Sequence, residues 1–282
     1  MGGETDDLAA RATRPQSLII TIYGAYSRPL GGWMSVAGLL DLLGVVGVDE
    51  AAGRGALSRL KRRGILLADR RDAGAGYALA DSTRRSFDLG DARVLERRTP
   101  PPDRGWVLAA FSIPEASRDV RYRLRSRLAR VGFSQVSGGL WIAPRQLEPD
   151  LRNVVESLGL ESLVDVFTAE HTGFTDTAQS VAQWWDLPAI GLSYSEFTRE
   201  YGPLASAITR RRTRPEPEQA CADYTRALTA WRPIPYVDPG LPAHYLPKSW
   251  PGYRATEVFF TIHDALARTA MAYAREVAGG TR

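Results

Sequence analysis

The chain has 282 residues, 44% hydrophobic and 24% charged, with 36 Lys and Arg against 32 Asp and Glu and a formal charge of +4. It is too long for one small domain, and its composition is that of a globular protein, so two or three domains are expected. One cysteine, Cys221, excludes an intrachain disulfide framework, leaves too few thiols for a structural zinc site and fits a reducing cytoplasm, while no run approaches the ~20 apolar residues of a membrane span.

Residues 1–14 are polar and acidic and read as a disordered leader rather than a secretion signal. Gln16–Tyr26 and Ser35–Gly44 read as apolar helices, the second with Ser35 as N-cap and Gly44 as its stop. The next stretch, Val48–Leu79, reads as a basic helix followed at once by a hairpin. At 100° per residue, Ala52, Gly53, Ala56, Leu57 and Leu60 share one narrow stripe that can face a core. The opposite face carries Ala51, Arg54, Gly55, Ser58 and Arg62, with Arg59 and Lys61 at its flanks. Small residues there admit a helix into a major groove about 12 Å wide, where arginines reach guanine edges or phosphates. Gly53 and Gly55 each weaken a helix by roughly 1 kcal/mol relative to alanine.

Gly64 suits the helix C-cap, Ile65–Arg70 and Tyr77–Leu79 read as strands, and Asp72–Gly76 as the turn, with Arg70 and Arg71 near its tip. Between Arg54 and Arg71 stand seven basic residues and one acidic, Asp69, a local balance of +6 inside a chain of +4. Charge concentrated in this way is what phosphate binding requires. Three helices and a hairpin in about 70 residues have the size of a winged helix-turn-helix. A polar helical stretch, Asp81–Arg98, and the proline run Thr99–Asp103 close this first domain, expected over 15–98.

A second domain is expected over 104–170. The apolar strand Trp106–Ile113 precedes a helix in which Val120, Leu124, Leu128 and Val131 recur every three or four residues, and six arginines from Arg118 to Arg130 cover much of its remainder. Strands at Phe133–Val136 and Leu140–Ala143 flank Ser137-Gly138-Gly139; Leu147–Leu158 reads as a helix and Leu163–Thr168 as a last strand. The order βαββαβ describes a ferredoxin-like sandwich. Residues 171–282 read as mainly helical, over Thr177–Trp185, Ser193–Tyr201, Pro217–Trp231 and Thr256–Ala278, with Thr209–Arg214 as a solvent loop. The fold class expected is therefore α+β: an N-terminal winged helix-turn-helix, a central ferredoxin-like domain and a C-terminal mainly helical domain.

His171, His244 and His263 are too scattered for a metal cluster and stand near no nucleophile at motif spacing, so neither metal, cofactor nor catalytic residue is expected. Gly31-Gly32 and Gly74-Ala75-Gly76 read as turns rather than phosphate loops. His171 lies where the second domain gives way to the third, and ligand pockets favour such places. Trp141, Trp184, Trp185 and Trp250 could each stack on an aromatic ligand or anchor a core. Trp141, His171 and Trp185 are the candidate effector-binding residues; Arg54, Ser58, Arg59, Lys61, Arg62, Arg70 and Arg71 are the candidate DNA-binding ones.

Three stretches resemble the PaaX family of bacterial transcriptional repressors, named for control of phenylacetate degradation. Arg14–Gly24 (RPQSLIITIYG) leading into Ala56–Gly64 (ALSRLKRRG) is similar to its winged-helix core. Phe111–Glu115 (FSIPE), Gly132-Phe133 and Leu140–Pro144 (LWIAP) resemble its middle-domain markers. Asp238–Gly252 (DPGLPAHYLPKSWPG) follows the spacing of its carboxy-terminal DP-LP-LP-WPG pattern, and Trp185-Asp186-Leu187 is a weaker fourth match. The resemblance implies a homodimer on a palindromic double-stranded operator, a repressor located in the cytoplasm and on the nucleoid, released by a small effector such as phenylacetyl-coenzyme A or another aryl or acyl thioester. A homodimer also follows physically, because one reading helix spans too few base pairs for selective genomic binding. Alternatives are an architectural nucleic-acid-binding factor and a metal-dependent nuclease, since the middle domain resembles CRISPR-associated ferredoxin-like nucleases. Those need a carboxylate at the end of the first strand, where this chain has Phe111-Ser112-Ile113-Pro114.

Overall fold

The structure is a computed structural model that describes residues 14–72, 74–210 and 215–278. The leader expected over 1–14 lies outside the described residues apart from Arg14, as do residues 211–214 of the expected solvent loop. In chain order the elements begin with α1 (Pro15–Ile22), β1 (Trp33–Ser35), α2 (Val36–Val45), α3 (Glu50–Arg62), β2 (Leu66–Arg71), β3 (Gly74–Leu79) and α4 (Asp81–Asp91). They continue with β4 (Trp106–Phe111), α5 (Arg118–Arg130), β5 (Ser134–Ser137), β6 (Leu140–Pro144), α6 (Glu148–Leu158) and β7 (Val164–Ala169). The remainder is helical: α7 (Thr177–Trp184), α8 (Leu187–Arg210), α9 (Pro217–Trp231), the short α10 (Ile234–Val237) and α11 (Gly252–Ala278). The class is α+β.

The chain divides into two compact units, one from Met1–Asp91, Ser195–Arg232 and Arg254–Arg282, the other from Ala92–Tyr194 and Pro233–Tyr253. The helices expected as one carboxy-terminal domain over 171–282 are thus shared between both units. Helix α9, for example, packs against α1 and α2 as well as against α8 and α11.

In the first unit α1 opens with Pro15, whose fixed φ suits a first turn, and buries Leu18, Ile19, Thr21 and Ile22. The helix expected to run to Tyr26 passes at Tyr23–Ser27 into a wider π-helical turn. Ser35 caps α2 by accepting from the Gly38 N–H at 3.1 Å. The stop falls at Gly47 (φ 83°) rather than Gly44, with Val48 N–H bonded to Leu43 O. Strand β1, unpredicted, is three residues long, too short to show alternation. It exists because Trp33, Met34 and Ser35 pair with Ala78, Tyr77 and Gly76 of β3, giving an antiparallel sheet of order β1-β3-β2. A Cβ on Gly76 would lie 2.4 Å from the Trp33 ring and 2.5 Å from Met34 O, so this pairing requires glycine.

The carboxy-terminal helices close the same core. Tyr26 and Thr225 share a buried hydroxyl–hydroxyl bond of 2.7 Å. Trp231 stacks on Phe259 of α11 with ring centroids 4.6 Å apart and packs on Phe197 of α8 at 5.2 Å.

The second unit holds an antiparallel sheet of order β5-β6-β4-β7. Two β-α-β units interlock in it, so the first and third strands lie side by side at its centre. Val107, Ala109, Trp141 and Ala143 point from β4 and β6 toward Leu124 and Leu128 of α5 and Leu151, Val154 and Val155 of α6. A bulge between Gln135 and Ser137 accompanies the Ser137-Gly138-Gly139 connection. The Asp238–Gly252 stretch is tied down by its first residue. Asp238 is buried, accepts from Gly240 N–H at 2.8 Å and from the Tyr194 hydroxyl at 2.5 Å, and pairs with Arg97 at 3.5 Å.

Removing only the Tyr26 hydroxyl (Tyr26→Phe) should lower stability by about 1 kcal/mol, and Trp231→Ala by about 3–5 kcal/mol. Urea denaturation checks both; equal losses would mean that the hydrogen bond, not apolar packing, joins the amino- and carboxy-terminal parts of this unit.

Candidate functional site

Helix α3 is held from beneath and open above. Asp49 caps it by accepting from Ala52 N–H at 2.8 Å, and Gly53, Ala56, Leu57 and Leu60 form the buried stripe. Gly53 is at home there: a Cβ would meet Leu40 and Leu43 side chains of α2 at 2.9 and 3.2 Å, so the small residue lets α2 and α3 approach. Gly55 has no such neighbour; nothing in the structure requires it. At the far end Gly64 takes φ 66°, a left-handed conformation that glycine adopts without strain, and turns the chain into β2.

Arg54, Ser58 and Arg62 lie exposed on the opposite side of α3, with Arg59 and Lys61 exposed at its flanks. Arg54 is engaged by Glu50 one turn earlier at 2.8 Å, an exposed pair that solvent screens and that a competing phosphate can replace. In the hairpin, Arg70 faces Ala75 and Arg71 faces Gly74 across the ladder, so both sit at the tip, exposed. Arg71 is oriented by Asp69 at 3.0 Å and by the Trp33 ring, with its guanidinium 5.3 Å from the centroid. Trp33 in turn donates to Asp69 O at 3.1 Å. The seven residues singled out for DNA therefore fall on one helix face with its flanks and on the tip of the hairpin that follows it.

The second unit contains a cavity of about 470 Å³ lined by Trp106, His171, Thr177 and Tyr245 together with the charged Asp103, Arg104 and Glu170. Beside it an aromatic stack runs Tyr245, Trp106, Trp185, with successive centroids 5.8 Å apart. His171 Nδ1 is 3.1 Å from Thr177 Oγ1, and its ring meets Trp184 edge-on at 5.2 Å. Trp185 donates to Gly132 O at 3.1 Å. Of the three candidate effector residues, His171 lines this cavity and Trp185 backs it through Trp106. Trp141 is elsewhere, in the core between sheet and helices. Trp106 and Tyr245, which sequence reasoning did not single out, come to the cavity from the first strand and from the Asp238–Gly252 stretch; only folding brings them together.

Asp103 is held below the ordinary carboxylate value, first by the Gly105 N–H and further by Tyr245 and His244. Tyr245 is pushed up to about 12 by partial burial and by donating to that carboxylate at 2.9 Å. A depressed carboxyl stabilises the fold above its unfolded pKa near 4, and the contribution disappears as pH falls through the lower folded value. Asp103→Asn should therefore make the acid-side fall in melting temperature shallower. Arg54→Ala should alter stability by no more than about 0.5 kcal/mol, because it removes only an exposed pair. Thermal unfolding across pH checks both.

Family models match the chain in three consecutive pieces. A model of PaaX-like protein matches residues 14–83, one of the PaaX protein central Cas2-like domain matches 99–181, and one of the PaaX-like protein C-terminal domain matches 185–276. The transcriptional repressor PaaX of Escherichia coli (strain K12) is 25% identical over 263 residues, covering 92% of this chain and 83% of that protein. The solved structure of uncharacterized protein Rv0674 from Mycobacterium tuberculosis is 23% identical, covers 89% of this chain and 96% of its own, and superposes with a TM-score of 0.46. With its three matched pieces following one another along nearly all of its length, the chain belongs to the PaaX family.

Proposed function

We propose that this protein is a DNA-binding transcriptional repressor that reads double-stranded operator DNA through α3 and grips its backbone through the β2–β3 hairpin. In this reading α1–α3 with β1–β3 form a winged helix-turn-helix, and the second unit's sheet with α5 and α6 is a ferredoxin-like sandwich without enzymatic activity. The observation that carries it is the sidedness of α3: an apolar stripe seats the helix, Arg54, Ser58 and Arg62 project from the other side, and Arg59 and Lys61 are exposed at its flanks. The Escherichia coli relative, named a transcriptional repressor, supports it. A homodimer supplies the second half-site that selectivity needs. Such a protein works in the cytoplasm, on the nucleoid.

The effector in this reading is an aryl or acyl thioester, phenylacetyl-coenzyme A among the candidates, whose aromatic acyl end enters the cavity beside His171 and Trp106. A volume of about 470 Å³ lies within the usual range for small-molecule sites, and aromatic walls suit an aryl group. The effector lifts repression to the extent that it binds the DNA-free state more tightly. The nuclease alternative gains nothing from the structure, because β4 runs out at Phe111 and is followed by Ser112, Ile113 and Pro114.

A gel-shift titration against the intergenic DNA beside the protein's own gene, with and without phenylacetyl-coenzyme A, tests the reading. Arg54→Ala or Arg62→Ala should weaken operator binding by about 1–3 kcal/mol; full affinity with both replaced would place the reading face elsewhere. Replacing Arg70 and Arg71 together should weaken binding to every sequence and flatten its salt dependence, as loss of phosphate neutralisation does. His171→Ala should raise the thioester concentration needed for release while operator affinity stays unchanged.

A further inference from the structure

The reading helix is not the most basic segment of the chain. Helix α5 carries six arginines and one aspartate in 13 residues, whereas the whole chain carries 36 basic residues in 282. Its arginines divide by role. Arg121 and Arg125 turn to backbone carbonyls, of Ile113 at 2.5 Å and Gly138 at 2.9 Å, and so help fix the ends of neighbouring segments. Arg123, Arg127 and Arg130 are exposed, and among the described residues none of the three forms an ion pair; Arg127 reaches only the Ser157 hydroxyl, at 3.0 Å. They follow one another at spacings of four and three residues, which stacks them on one helix face.

Like charges at this spacing repel one another and weaken the helix they sit on. Apart from the Arg127–Ser157 bond folding gains nothing from the arrangement, since Leu124 and Leu128 already seat α5 in the core. A polyanion would turn the repulsion into attraction. The three arginines span about 10 Å along the helix axis, and successive phosphates of one strand of duplex DNA rise by about 3.4 Å each, so the strip covers the rise of about three phosphate steps, enough for each arginine to reach its own phosphate. Arginine makes bidentate bonds to phosphate, which suits it to gripping a nucleic-acid backbone. An anionic membrane fits less well, because insertion needs a free apolar helix face and the apolar face of α5 is used up.

We propose that the exposed strip Arg123, Arg127, Arg130 is a second binding surface for duplex DNA, sequence-independent and separate from the reading helix. It extends the DNA-binding reading and rests on it only in the identity of the partner. The surface adds affinity for any duplex and contributes no base selection.

The test uses the full-length protein and a long random-sequence duplex, with affinity followed by fluorescence anisotropy over a range of salt concentrations. The triple variant R123Q/R127Q/R130Q keeps the helix, since glutamine is a good helix former, and circular dichroism confirms that it does. It should bind the duplex about tenfold or more weakly, with the slope of log affinity against log salt reduced by about 2 to 3, close to 0.9 for each phosphate that is no longer neutralised. A parallel variant, R59Q/K61Q/R62Q, probes α3. An unchanged slope in the α5 variant beside a reduced one in the α3 variant overturns the second surface and leaves the repressor reading standing. Absence of duplex binding by the unaltered protein overturns both. Loss of binding to phosphatidylglycerol vesicles with duplex affinity intact would make the strip a membrane-binding surface and likewise overturn the proposal.

Discussion

The first unit depends on the burial of α1. Its sequence, PQSLIITI, offers no polar face, and a helix apolar on nearly all sides must be covered on more than one. Helix α3 covers it from one direction and α9 from another. The helix that carries the exposed basic residues is therefore not braced by its immediate neighbours alone. It leans on a strut whose other side is covered by residues about 200 positions further along the chain, as the Tyr26–Thr225 bond records. A short helical module that buries little surface is marginal by itself, and the returning helices supply the missing area. Trp231, Phe259 and Phe197, stacked or packed at 4.6 and 5.2 Å, form the large apolar mass of that second contribution.

The second unit combines apolar and polar constraints differently. The sheet and its two helices bury a continuous apolar core, yet the segments that leave it are fixed by polar interactions. Asp238 receives a backbone N–H and a tyrosine hydroxyl and pairs with Arg97. Arg93 forms a buried ion pair with Asp150 at 2.9 Å and lies over the Tyr236 ring. Buried charges are costly unless paired, and breaking such a pair costs more than the pair contributes, so interactions of this kind specify one arrangement more than they stabilise it. The prolines of the Asp238–Gly252 stretch serve the same end by limiting the conformations that Asp238 has to organise.

Much of the candidate DNA interface was legible in the sequence. Helical periodicity separated the stripe Gly53, Ala56, Leu57, Leu60 from the basic face, because 3.6 residues per turn leaves few ways to seat those leucines. Ser35 as a cap, Gly64 as an exit and the βαββαβ order were equally local signals. What escaped was β1, three residues that become a strand only through β3, and the reason for Gly53, which reads as a defect in the helix until Leu40 and Leu43 are seen against it. The cavity beside His171 was half visible: His171 and Trp185 could be named, Trp106 and Tyr245 could not, since they lie about 140 residues apart in the chain.

The sequence by itself determined the local elements, the placement of basic residues on α3 and at the hairpin tip, and the family, because periodicity, caps and short motifs are set by neighbouring residues. Only the tertiary structure decided which helices share a core, which arginines of α5 are consumed by backbone carbonyls and which stay exposed, and which aromatic rings meet around one cavity. Those outcomes depend on residues far apart in the chain coming together, and a one-dimensional pattern carries the need to bury a surface without naming the partner that buries it.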